Sequence, residues 1–352
     1  RNKGRRNHMR TRVDRLMRLV VRVLAVAALL GVARVAALVA RRTKLLDEVS
    51  AELRHWVLLI PTSVTNRVSL RIARRVVALP TRPVDGCTMR DEHVAASGTD
   101  PSVRVVVYEP IERQTSTGAM LWIHGGGLIM ASADQYHDVC SRYAAELGIV
   151  VVSVDYRLAP EHPFPAGLDD CMAALRWLDD QADRLGIDRS RIAVGGDSAG
   201  GGLAACVAQR ARDEGGPALC FQLLQYPMLD HRSPLTTGRD TLVWSRRSNA
   251  FAWSLYLGHD ISDTETRPYA SAARCEQMQG LPPAWLGIGT ADLFYDESIR
   301  YAQQLIEAGV PCDLHVVHGM YHGAERVRPA TPSMRDFTDR MIAALGEALG
   351  SR

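Results

Sequence analysis

No C-x-x-C pair occurs among the seven cysteines, which are odd in number and widely spaced (87, 140, 171, 206, 220, 275 and 312), so neither a zinc site nor a disulfide framework is expected. Their expected place is as small buried apolar side chains in a reducing compartment. His55, His137, His231 and His259 have no metal-ligand spacing either, and no metal or organic cofactor is expected. Lysine is nearly missing: Lys3 and Lys44 stand against forty arginines. That imbalance reads as a coding bias rather than as a nucleic-acid surface. Acidic residues are scarce only at one end, where residues 1–54 carry fourteen Arg or Lys against four Asp or Glu, leaving 28 against 35 in the rest. There is no internal repeat, no G-x-x-x-x-G-K-[ST] phosphate loop, and no acidic partner of a dinucleotide fingerprint.

The basic end is an arm, residues 1–44, with basic flanks around the apolar run Val23–Ala40, which is interrupted by Arg34. A mid-segment arginine costs about 2.5–3.5 kcal/mol on insertion. Three readings compete: a membrane signal-anchor, an amphipathic helix on a membrane surface or on the protein itself, and a cleaved signal peptide. Its basic residues are interleaved with Val, Leu and Ala, which favours membrane contact over phosphate tracking, and no nucleic-acid partner is expected. A cytoplasmic protein, or one held at the inner membrane face, is favoured over a secreted one.

From Val103 onward short β-branched runs alternate with helical segments, the pattern of a mostly parallel sheet covered by helices on both faces. Strands are expected at 103–109, 119–124, 149–156, 191–196, 219–226, 284–290 and 313–318, and helices over 168–186 and 297–309. Residues 45–85 and about 230–275 break the alternation. The second lies near the carboxyl ends of the strands, where open α/β sheets bind ligands, and both read as a cap over a domain spanning 86–352.

Glycine is concentrated at two points. "GGDSAGGG" (195–202) contains G-x-S-x-G at Gly196–Gly200, after a strand and before a helix. This is the pattern of a nucleophile elbow, in which small neighbours let a strained serine, Ser198, stand at the head of a helix. A chance match in a glycine-rich turn is the competing reading. "HGGG" (124–127) follows another strand, and bare backbone amides at such a turn can approach an oxyanion where side chains would obstruct them. Acyl transfer also needs a base and a carboxylate. Asp292 and His322 follow two strands one β-α-β step apart, in the chain order Ser, Asp, His. His322 is preferred to His318, which ends the last strand, and Asp292 to Asp296, which heads a helix.

"HGGG", "YRLAPEHPFPAGLDD" (156–170), "GGDSAGG" (195–201), "DLFYDES" (292–298) and "YHGA" (321–324) together resemble the hormone-sensitive-lipase-like carboxylesterases, bacterial esterase family IV, over about residues 103–346. The resemblance implies an α/β-hydrolase fold with a helical cap from the N-terminal segment and an insertion. It implies Ser198 as nucleophile, His322 as general base and then acid, Asp292 as the orienting carboxylate, and the amides of Gly126, Gly127 and Ala199 as the oxyanion hole. His124 is expected to shape the glycine loop, Asp197 to accept structural hydrogen bonds, and Glu161 with Arg157 to form a polar network under the site. The sequence departs from the family at Asp292-Leu293-Phe294, where D-P-L is usual, and at His322-Gly323-Ala324, where H-G-F is usual; both should alter packing beside the triad. The expected activity is hydrolysis of short- to medium-chain acyl esters through an acyl-enzyme, on a small-molecule substrate, with a homo-oligomer allowed. The same triad could serve a membrane-tethered deacetylase, an amidase or an acyltransferase, and the same fold a ligand-binding protein without activity.

Overall fold

The computed structural model describes residues 36–37, 39–96, 101–112 and 116–350 of the chain. Most of the basic arm, residues 1–35, lies outside them. Eight strands form one sheet in the order β1-β2-β4-β3-β5-β6-β7-β8. They are β1 (Cys87–Val94), β2 (Val103–Pro110), β3 (Thr117–Ile123), β4 (Val150–Val154), β5 (Ile187–Asp197), β6 (Phe221–Gln225), β7 (Ala284–Gly289) and β8 (Cys312–Val317). β2 runs antiparallel to both of its neighbours, and all other pairings are parallel. Strands β3, β4, β6 and β7 are buried along their whole length, in keeping with their mainly apolar sequences, although Ser153 of β4 and Gln222 and Gln225 of β6 are buried with them.

β1 has no counterpart among the expected strands. Its sequence, "CTMRDEHV", is mostly polar because it is an edge strand with one face and one side open, and charge there discourages pairing with another chain. The helices that bear on the function are α1 (Arg67–Val76), α2 (His137–Leu147), α3 (Ala166–Asp180), α4 (Ala199–Glu214), α5 (Arg246–Leu257), α6 (Tyr295–Glu307) and α7 (Pro332–Ala348). The helix expected over 168–186 divides at Gln181 into α3 and a single turn, Ala182–Leu185. Trp122, Trp285, Tyr143 and Phe337 are fully enclosed in the core. All seven cysteines are free thiols, but only Cys140, Cys171 and Cys206 are buried; the other four are half-buried, which corrects the expectation that most lie inside.

Residues between β6 and β7 carry α5, and the N-terminal segment lies against them. The Arg42 guanidinium donates to the Leu58 carbonyl at 2.6 and 2.8 Å and to the Leu242 carbonyl at 2.8 Å. Thr62 Oγ1 donates to the Val243 carbonyl (2.9 Å), and the Val64 amide to Ser248 Oγ (3.0 Å). Two stretches far apart in sequence are thereby fastened into one layer. On the inner side of α1, Arg74 donates to the carbonyls of Ile129 (2.7 Å) and Ala159 (2.8 Å) and forms a two-point ion pair with Glu161 (both 2.8 Å).

A buried carboxyl joins the insertion to α6. Glu297 accepts from the Leu229 amide (2.7 Å) and the Asp230 amide (3.3 Å), and bonds the Ser233 hydroxyl. Burial nevertheless pushes its carboxyl up to about 8. An unfolded glutamate titrates near ~4.3, so across that interval the folded protein keeps a proton that the unfolded chain has released. Its stabilising contribution is therefore full below the unfolded value and is lost as pH rises through 8. Glu297→Gln removes the titration but keeps a donor and an acceptor. It is expected to match the native protein near pH 4 and to exceed it by about 4–5 kcal/mol at pH 8, measured by urea unfolding. A difference that does not change with pH would contradict this.

Candidate active site

The register of the sheet brings five chain segments to one edge. Ile123 pairs with Gly196, Asp197 with Gln225, and Gly289 with Val317, so residues following β3, β5, β6, β7 and β8 emerge side by side at the carboxyl ends. These residues include the glycine loop, Ser198, Tyr226, Asp292 and His322.

Ser198 sits between β5 and α4 with φ 54° and ψ −119°, a conformation that a side-chain-bearing residue adopts only under constraint. Its neighbours are glycine for steric reasons. A β-carbon on Gly200 would stand 1.9 Å from the Ile123 carbonyl oxygen, and one on Gly196 would stand 2.5 Å from both that oxygen and the Gly200 backbone. The turn is also tied into the sheet: the Ser198 amide donates to the Gln225 carbonyl (2.9 Å), and its carbonyl accepts from the Met228 amide (2.8 Å).

His322 Nε2 lies 2.9 Å from Ser198 Oγ, and Nδ1 lies 2.8 Å from Asp292 Oδ2. Asp292 is fully enclosed, and its other oxygen accepts from the Phe294 amide at 2.9 Å. Because a buried carboxylate can only accept, Nδ1 carries the proton of the neutral ring and Nε2 is left as an acceptor for the serine hydroxyl. Burial pulls the imidazole down, but the charge and hydrogen bond of Asp292, with Asp197 and Glu325 behind them, outweigh it and leave His322 above the ordinary value. His318 and Asp296, the alternatives in sequence, both face solvent.

Gly126 and Gly127 have φ of 113° and 63°. A β-carbon would fall 2.1 Å from the Met130 carbonyl oxygen at Gly126 and 2.5 Å from the Trp244 ring at Gly127. The amides of Gly126, Gly127 and Ala199 have no acceptor among the described residues. Asp197 supports this loop, taking the Gly125 amide (2.8 Å) on one oxygen and the Tyr136 hydroxyl (2.8 Å) on the other. His124 is enclosed, stacks on Tyr156 with centroids 4.2 Å apart, and donates from Nδ1 to the Gly125 carbonyl at 2.7 Å. Burial holds it below the ordinary histidine value, so it is neutral.

Glu161 and Arg157 do not form the expected network beneath the site. Glu161 is exposed and clasps Arg74 of α1, and Arg157 instead pairs with buried Asp170 at 2.7 Å. Three residues at the site were not singled out in the sequence. The Tyr226 ring meets the imidazole edge-on at 4.7 Å, and its hydroxyl donates to Glu325 Oε1 at 2.6 Å. Tyr136 holds Asp197. The position of Tyr226 directly after β6 was a legible signal; Tyr136, in an unremarked loop, gave none. Of the residues that depart from the family pattern, Phe294 packs edge-on against the imidazole at 5.2 Å and Ala324 is fully buried.

Residues 120–326 match the model of a family described as having the alpha/beta hydrolase fold. The chain is 39% identical over 297 residues to the carboxylesterase NlhH of Mycobacterium tuberculosis, covering 82% of this chain and 92% of that protein. It is 37% identical over 279 residues to the esterase LipI of the same species, covering 78% and 87%. Among solved structures, a bacterial heroin esterase superposes with a TM-score of 0.81 at 35% identity, covering 86% of this chain and 98% of that one. The chain belongs to the α/β-hydrolase fold family, in its hormone-sensitive-lipase-like group of carboxylesterases. It is a serine carboxylesterase. No helix among the described residues is long and apolar enough to cross a membrane.

Proposed function

We propose that the protein cleaves short- to medium-chain esters of small molecules through an acyl-enzyme formed on Ser198. The observation that carries this reading is the unbroken line of hydrogen bonds from Asp292 through His322 to Ser198, on the edge that also bears three unengaged backbone amides.

In this reaction His322 Nε2 takes the hydroxyl proton as Ser198 Oγ bonds to the ester carbonyl carbon. The charge that develops on the carbonyl oxygen is met by the amides of Gly126, Gly127 and Ala199, each donor being worth about 3–4 kcal/mol when pre-aimed. Asp292 stabilises the imidazolium without taking its proton. His322 then protonates the departing alkoxide, the alcohol leaves, and a water activated by the same nitrogen releases the carboxylic acid and restores the serine.

Residues 45–85 and 230–275 act as the cap. Ser198 and His322 are only 7% and 9% exposed, and Trp244 of the insertion rests against Gly127. Such an enclosure favours small acyl groups. A series of p-nitrophenyl esters from acetate to palmitate tests it: kcat/KM should peak between acetate and hexanoate and fall at least about tenfold by palmitate. A maximum at palmitate would contradict the enclosure.

A further inference from the structure

Among the described residues, α1 is the one α-helix whose outward side carries several large exposed apolar side chains. Val68, Ile72 and Val76 are 65, 57 and 70% exposed and recur at i, i+4 and i+8, so they form one apolar stripe, extended by exposed Leu79 just past the helix end. Arg67, Arg71 and Arg75 form the adjoining ridge, and none of them pairs with a carboxylate among the described residues. The charge is one-sided well beyond the helix: residues 53–84 contain six arginines and no aspartate or glutamate. Stability does not require this exposed face, since α1 is held from its inner side by buried Leu70, by Arg74 and by the Asn66–Ser69 capping box.

We infer that α1 lies on anionic lipid, its valine and isoleucine stripe entering the acyl boundary and its arginine ridge meeting the headgroups. Charge decides between occupants. A second copy would bring the same arginine ridge against itself. The chain's own N-terminal arm is as basic as the helix, with fourteen Arg or Lys against four acidic residues through residue 54, and would be repelled. Only a negatively charged surface complements both ridge and stripe. Arg74, on the opposite side of the helix, holds the carbonyl of Ile129, two residues beyond Gly127, so a docked α1 stands between lipid and glycine loop. This contact is independent of the chemistry assigned to Ser198.

The test is sedimentation of the full-length protein with phosphatidylcholine vesicles and with mixed phosphatidylcholine–phosphatidylglycerol vesicles. Hydrolysis of a soluble ester and sedimentation velocity are measured in parallel. The native chain should favour the mixed vesicles. The double substitution Ile72→Glu with Val76→Glu should weaken that partition about tenfold or more while soluble-ester turnover stays within about twofold. Ile306→Glu, a substitution of an equally exposed isoleucine on α6, should change neither. Should the double variant lose soluble activity, Arg67→Gln, Arg71→Gln and Arg75→Gln together supply the same test through charge alone. The inference fails if the native chain ignores anionic vesicles or binds neutral ones equally, or if the variants sediment with the vesicles as the native chain does. It also fails if the substitutions dissolve a dimer and leave vesicle binding intact.

Discussion

Ser198→Ala should lower kcat for a p-nitrophenyl short-chain ester by about 10⁴–10⁶-fold while leaving the fold and its unfolding midpoint nearly unchanged. Alanine preserves the β-carbon and therefore the strained turn, whose geometry is imposed by Gly196, Gly200 and the Ile123 carbonyl rather than by the hydroxyl. What it removes is the hydroxyl that hydrogen-bonds His322 Nε2, its only such partner among the described residues. The residual rate would come from substrate binding beside the glycine-loop amides, and KM should move much less than kcat. Turnover within tenfold of the native value would exclude Ser198 as the attacking group.

Asp292→Asn carries the second large effect, about a 10⁴-fold loss in kcat at neutral pH. An amide at this position can present its NH₂ to the imidazole, which turns the ring proton toward Ser198 and removes the base. The substitution also acts on titration. In the native protein burial lowers His322, but Asp292 more than compensates, so the neutral base is reached only above the ordinary histidine value of about 6.5. Activity should therefore rise with pH through a midpoint above that value and be lost below it, as the imidazole takes a proton. Without the carboxylate, burial is left unopposed, and the midpoint of the residual activity should move downward. A pH–rate profile of both proteins checks the sign; an unchanged or raised midpoint in Asp292→Asn would contradict the pairing.

The sequence was most informative where backbone geometry forbids substitution. A strand, a serine and a helix head with glycine on both sides can be recognised because a β-carbon at Gly196 or Gly200 would overlap main-chain atoms, and the Gly126–Gly127 turn is readable for the same reason. Mainly apolar strands such as β4 and β7 were equally clear, since burial on both faces favours apolar side chains. Legibility failed where a residue's role depends on which distant segment it meets. β1 is an edge strand disguised by its charges. Glu161 lies in a motif that belongs to the site, yet its carboxylate turns away to bind Arg74, which comes from a segment 87 residues earlier. Tyr136 and Glu325 became visible only through the side chains they hold, Asp197 and Tyr226.

Gly126, Gly127, Ser198, Ala199, Tyr226, Asp292 and His322, from five chain segments, meet at the edge of the sheet, and their arrangement makes a claim about a single covalent bond. Incubation with a p-nitrophenyl phosphonate, followed by intact-mass and peptide mass spectrometry, tests it. One phosphonyl group per chain, located on Ser198 and absent from Ser198→Ala, with activity lost in proportion to labelling, is the expected result. A label on any other residue that abolishes activity, or full activity in a chain labelled at Ser198, would contradict it.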